Sequence, residues 1–147
     1  MVEELRHFLE KEKCDFQLIR HEKRVLSLQD AAVYFDVSKA APVLIVETEA
    51  GMMALIVSAT RGRADFKALK QEAGYARLKM VEREKVEEAT GYATGRVPLI
   101  GHGLPCIFDN RLLQNDYIYG GSGDECCTLQ IAPGDVKRLN KVVRTIG

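Results

Sequence analysis

Four glycines and one proline fall within Thr90-Gly-Tyr-Ala-Thr-Gly-Arg-Val-Pro-Leu-Ile-Gly-His-Gly103. A loop of this composition exposes backbone N–H groups and lets a ligand approach the main chain closely. Exposed amides can hold a carbonyl oxygen or a developing oxyanion. A second cluster, Tyr119-Gly-Gly-Ser-Gly-Asp124, joins two strand-like runs. Each cluster alone also reads as an ordinary turn. Two of them in one small chain point to a single ligand pocket built by Gly91 to Gly101 and Gly120 to Gly123. Neither G-x-x-x-x-G-K-[ST] nor G-x-G-x-x-G occurs, so these are not the phosphate-binding fingerprints of nucleotide enzymes.

The remaining reactive side chains are sparser. His21 and His102 lie outside the first helix, and neither has zinc-ligand spacing around it, so no metal is expected. Cys106, Cys126 and Cys127 sit in apolar, strand-like sequence, where buried structural thiols are the usual outcome. Strand alternation turns Cys126 and Cys127 to opposite faces, so one of them can line a cavity. Three basic clusters stand out: Arg20, Lys23 and Arg24; Arg61, Arg63, Lys67 and Lys70; and Lys137, Arg138, Lys141 and Arg144. Solvated faces account for such charges in general. Only the second adjoins a sheet end, in Ser58-Ala-Thr-Arg-Gly-Arg-Ala-Asp65, which makes Arg61 and Arg63 the candidates for phosphate contact.

These residues need a scaffold. Val2, Leu5, Phe8 and Leu9 recur at helical spacing and predict a helix over residues 2–13, followed by a strand from Phe16 to Arg20. Ser27 is a candidate N-cap for a helix reaching about Phe35. Pro42 to Thr48 and Met53 to Ser58 are β-type runs around Glu49-Ala-Gly51, a central hairpin. Asp65 caps a helix that Gly74 ends; Tyr75 to Met80 predicts a strand and Glu82 to Thr90 a helix. Strands follow at Pro105 to Asp109, Tyr117 to Tyr119 and Thr128 to Ile131. Pro133 then opens a last helix with Val136, Leu139, Val143 and Ile146 at helical spacing. Short strands among peripheral helices, without regular βαβ alternation, predict an α+β fold with a mixed, mostly antiparallel sheet.

With 46% apolar and 29% charged residues, the 147-residue chain suits one domain spanning residues 1–147. Lys plus Arg and Asp plus Glu balance at 21 each, so any RNA contact must come from a local patch. No apolar run approaches the ~18 residues of a membrane span, and the start lacks a secretion-signal pattern. The cysteines lack C-x-x-C spacing and suit a reducing compartment, so the chain reads as cytosolic.

The order of features resembles the YbaK family, which includes the bacterial Cys-tRNA(Pro) deacylase and the editing domain of prolyl-tRNA synthetases. The matching features are Asp30-Ala-Ala32, the hairpin, Ser58 to Asp65, Thr90-Gly-Tyr92, the glycine-proline loop, Phe108-Asp-Asn-Arg-Leu-Leu113, Tyr119-Gly-Gly-Ser-Gly123 and Ile131-Ala-Pro133. They cover nearly the whole chain. The resemblance implies hydrolysis of the ester joining a mischarged amino acid to a tRNA 3′ end, in trans, with no cofactor and with a synthetase as a second partner. It also implies that Gly101 meets the scissile carbonyl and that Gly95, Arg96, Pro98, Gly120, Gly121 and Gly123 line the substrate site. Two departures matter. Arg96 stands where a second glycine is usual, with Leu99 where a proline often sits, and Leu44 falls at or next to the family's lysine position. Lys39, about five residues earlier, replaces that lysine only if its loop folds over the pocket. A catalytically weakened module that binds an aminoacyl ester, amino acid or nucleotide is the alternative.

Overall fold

The computed structural model describes residues 2–147. Its elements run α1 (Val2–Lys11), β1 (Phe16–Arg20), α2 (Leu28–Ala31), β2 (Val43–Thr48), β3 (Gly51–Ile56), α3 (Phe66–Ala73), β4 (Leu78–Met80) and α4 (Arg83–Thr90). They continue through β5 (Cys106–Asp109), β6 (Ile118–Gly121), β7 (Cys127–Ile131), α5 (Pro133–Leu139) and β8 (Val142–Ile146). The fold is α+β, with helices peripheral to two sheets.

Local chemistry sets most boundaries. At the tip of the β2–β3 hairpin Gly51 adopts φ +112°, which a side chain would strain. The Asp65 carboxylate accepts the Lys67 and Ala68 N–H groups at 3.1 and 3.2 Å and starts α3. Ser27 accepts the Asp30 N–H at 3.1 Å, but the helix it caps is a single turn, Leu28–Ala31, not a helix to Phe35. Similarly, only Leu78–Met80 of the run from Tyr75 is a strand. Tyr75 instead buries its ring and directs its hydroxyl at Met53 Sδ, 3.3 Å away.

The last helix is also shorter than its periodicity predicts. It ends at Leu139, where the Asn140 side-chain amide donates to the Val136 and Leu99 carbonyls at 2.8 and 2.9 Å. Val142–Ile146 then pairs in parallel with β5. The β-branched residues Val142, Val143, Thr145 and Ile146 suit this pleated ladder better than a helix.

The five-stranded sheet has the order β4-β2-β3-β5-β8, antiparallel about β2 and parallel from β3 outward. The other sheet, β1-β7-β6, is antiparallel throughout. Phe108, Leu112, Ile118, Leu129, Ile131 and Val136 form the main core, joined by Leu9 of α1. Burial of a side chain such as Phe108 contributes about 1.5–3 kcal/mol. The two sheets touch where Ala40 bridges Tyr119 and the Ala41 N–H donates to the Tyr119 carbonyl at 2.8 Å. That junction is the floor of the cleft described next.

Candidate active site

A cleft of about 280 Å³ opens at the junction, between α2, the start of β2 and the ends of β6 and β7. Gly95, Arg96 and Val97 of the first glycine stretch line it together with Gly120, Gly121 and Gly123 of the second. Leu26, Leu28, Phe35, Val43 and Leu44 supply the apolar wall. Phe35 stacks on Tyr119 with ring centroids 4.3 Å apart, closing one end.

Sterics explain why this wall needs glycine. A Cβ at Gly121 would lie 2.5 Å from the Val97 carbonyl oxygen, and one at Gly120 would lie 2.4 Å from the Leu99 side chain. The loop can therefore lie flat against β6, held by the Leu99 N–H donating to the Gly121 carbonyl at 3.0 Å. Among the described residues no backbone acceptor takes up the Gly95 and Val97 N–H groups. Amides without such an acceptor are the kind that can meet a carbonyl oxygen.

Other sequence candidates lie elsewhere. Pro98 is buried behind the wall, its Cα 3.4 Å from where a Gly121 Cβ would stand. Gly101 lines a separate cavity with His102, Leu104 and the α1 residues Leu5 and Phe8. One pocket was expected across Gly91 to Gly101; the loop instead crosses β6 at Val97 to Leu99 and serves two cavities, one on each side. His102 is 4% exposed, and burial holds its ring below the usual imidazole range although Asn140 acts in the other direction. Lys39 is absent from the cleft lining; its ammonium sits 4.2 Å above the Tyr117 ring.

The phosphate candidates separate as well. Arg61 directs Nε to Asp109 Oδ2 at 2.5 Å and Nη1 to Glu72 Oε2 at 2.9 Å. With both carboxylates held, Arg61 fastens the Ala59–Arg61 turn to β5 rather than facing the cleft. Arg63 is exposed and lines neither cavity. Arg96 does line the cleft, with Nη2 donating to the Gly123 carbonyl at 3.3 Å and Nε 3.9 Å from Glu125. Cys127 borders the cleft but is itself buried, and burial raises its thiol above the usual range. Cys106 is fully buried and pushed up to about 12, an inert thiol.

The model of the aminoacyl-tRNA editing domain matches residues 22–139, four-fifths of the chain. The chain belongs to that family. The fold repeats that of the hypothetical protein APE2540, with TM-score 0.81 and 24% identity over 97% of each chain. A candidate trans-editing enzyme for prolyl-tRNA synthetase superposes with TM-score 0.78 and 23% identity, over 96% of this chain and 92% of that one. A candidate signal transduction protein from Marinobacter aquaeolei VT8 carries the fold as part of a longer chain, with TM-score 0.59 and 17% identity over 92% of this chain and 28% of that one. No curated protein matches significantly.

Leu44, read from the sequence as standing at or next to the family's lysine, is an apolar part of the cleft wall. It pairs with Leu55 in the hairpin. Sequence reasoning missed two other groups at the cleft. Asp124 and Glu125 line it, and Thr128 on β7 lies within 3.1 Å of His21. The signal for the carboxylates was their place directly after the second glycine cluster. His21 carried no signal of its own, because its partner lies a whole domain away in sequence.

Proposed function

We propose that this editing domain acts in trans as an aminoacyl-tRNA deacylase, hydrolysing the ester of a mischarged tRNA. The observation that carries the reading is the cleft lined by both glycine segments in a chain of this family. The amino-acid side chain enters among Leu26, Leu28, Phe35 and Leu44, while its α-ammonium is complementary to Asp124 and Glu125. The Gly95 and Val97 amides meet the ester carbonyl, the task the resemblance gives to Gly101. Arg96 stands beside the 3′-terminal nucleotide, and the exposed Arg20 and Arg24 flank the opening. The partners are a tRNA 3′ end carrying an amino acid and a synthetase that mischarges it, prolyl-tRNA synthetase being the type named for one structural relative. The reading calls for no cofactor, and among the described residues no cluster of three His, Cys, Asp or Glu side chains can hold a metal.

One observation supports the alternative of a binding module with weak hydrolysis. Leu44 offers the cleft no ammonium, and Lys39 is engaged on Tyr117. A deacylation assay over a panel of mischarged tRNAs separates the two. Release of amino acid from one or a few members supports the deacylase. Inactivity across the panel, with thermal stabilisation by aminoacyl-adenosine analogues and hydrolysis gained in Leu44→Lys, supports the binding module.

A further inference from the structure

We propose that Thr128 and His21 form a proton relay on the wall of the cleft, serving the hydrolysis proposed above and resting on that reading. Strand alternation and register place Thr128 there. Its β7 neighbours Leu129 and Ile131 point into the main core. Thr128 lines the cleft and pairs with Gly121, against whose bare Cα the Val97 carbonyl packs. The next pair along, Tyr119 with Gln130, brings in the tyrosine that closes the cleft against Phe35. Thr128 is 4% exposed and is among the residues that line the cleft.

The imidazole behind it is fixed in one tautomer. His21 Nδ1 lies 2.7 Å from the Lys23 carbonyl oxygen, which can only accept, so Nδ1 carries the hydrogen. In the neutral ring Nε2 is then a bare lone pair, 3.1 Å from Thr128 Oγ1, and the hydroxyl donates to it. The ring is clamped further. It stacks on Tyr34 with centroids 4.7 Å apart, the Tyr34 hydroxyl accepts the Lys23 N–H at 3.2 Å, and the His21 N–H donates to the Cys126 carbonyl at 3.1 Å. A hydroxyl, a base and a third group orienting that base is the arrangement by which proteins activate an oxygen nucleophile. Here the hydroxyl passes a proton rather than attacking.

The step balances without a co-reactant. Water forms a bond from its oxygen to the ester carbonyl carbon and gives a proton to Thr128 Oγ1, while the Thr128 hydroxyl proton moves to His21 Nε2. Collapse of the adduct breaks the bond to the tRNA oxygen, and the imidazolium returns its proton through Thr128 to that oxygen. The products are the free amino acid and tRNA. Thr128 meets the water; His21 acts through it as a positioning residue. The relay supplies near Leu44 the proton acceptor that the apolar wall lacks.

The test uses the full chain and the mischarged tRNA that turns over fastest in the panel. Thr128→Val keeps the shape and removes the hydroxyl, and its kcat should fall about 100-fold or more with KM within about twofold. Thr128→Ser should recover most of that loss. His21→Gln should match Thr128→Val, and the double variant should be no worse than either, because the two act as one unit. Circular dichroism and thermal midpoints establish that each variant folds; should Thr128→Val unfold, His21→Gln and Thr128→Ser decide the matter. Full kcat in a folded Thr128→Val or His21→Gln, or a change confined to KM, overturns the relay and leaves the deacylase standing. A wild-type chain inactive on every tRNA overturns both.

Discussion

Asp109 has no solvent exposure, yet it is held as a carboxylate. Burial by itself drives its carboxyl upward, but the Arg61 guanidinium and the Ser58 and Arg111 N–H groups outweigh burial and leave it below the usual carboxylate range. A folded-state value below the unfolded one, ordinarily about 3.9, means that the stabilisation is complete above the unfolded value and is lost as pH falls through the folded one. Asp109→Asn leaves Arg61, whose side chain is 13% exposed, without its closest partner. Removing one member of such a pair costs about 3–5 kcal/mol. Urea unfolding should show this deficit at pH 7 and a smaller one at an acid pH below the folded-state value of Asp109, where the wild-type carboxyl is itself protonated. An equal deficit at both pH values would assign the loss to packing instead.

At the scale of elements, the second glycine stretch is as much a steric device as a chemical one. Gly121→Ala would drive a Cβ against the Val97 carbonyl, and main chain cannot yield as a side chain does. We expect about 1–3 kcal/mol of destabilisation and a loss of deacylation, because the displaced loop carries Gly95 and Arg96. Gly134→Ala, where nothing lies within 4 Å of the added Cβ, is the control for glycine removal as such. Loss of both stability and activity confined to Gly121→Ala is the expected pattern. The hairpin, the α3 caps and the glycine walls were legible in the sequence because each is set by neighbours along the chain. The final strand was not, since Val136, Leu139, Val143 and Ile146 fit a helix as well, and only pairing with β5 decides the matter. The engagement of Arg61 by carboxylates was not legible either: Asp109, 48 residues along the chain, becomes its neighbour only in the fold. Gly101 was grouped with Gly95 by composition, whereas the crossing over β6 parts them.

The whole molecule carries equal numbers of positive and negative side chains, so no global field draws a polyanion to it. Any attraction must be local, and the mouth of the cleft supplies it. The segment after β1 runs beside the turn before β7, tied by the Val25 N–H donating to the Glu125 carbonyl at 2.8 Å. This brings Arg20 within 3.7 Å of Asp124 and Arg24 within 3.8 Å of Glu125, with Arg96 approaching Glu125 from the loop. None of these three contacts is within hydrogen-bonding distance. Arg20 and Arg24 are 65% and 67% exposed, so the pairs are weak and can be exchanged for phosphates. If the single-stranded tRNA end lies along this rim, each phosphate neutralised contributes about 0.7 to the slope of log affinity against log salt. Replacing both Arg20 and Arg24 by glutamine should therefore lower that slope by about 1.4 for deacylated tRNA and raise KM for mischarged tRNA. Turnover of a short aminoacyl ester, which lacks the phosphates, should be unaffected. The same substitution at Arg63, which is exposed and does not line the cleft, should leave the slope unchanged. A slope that responds to Arg63 and not to Arg20 and Arg24 would move the RNA away from this rim.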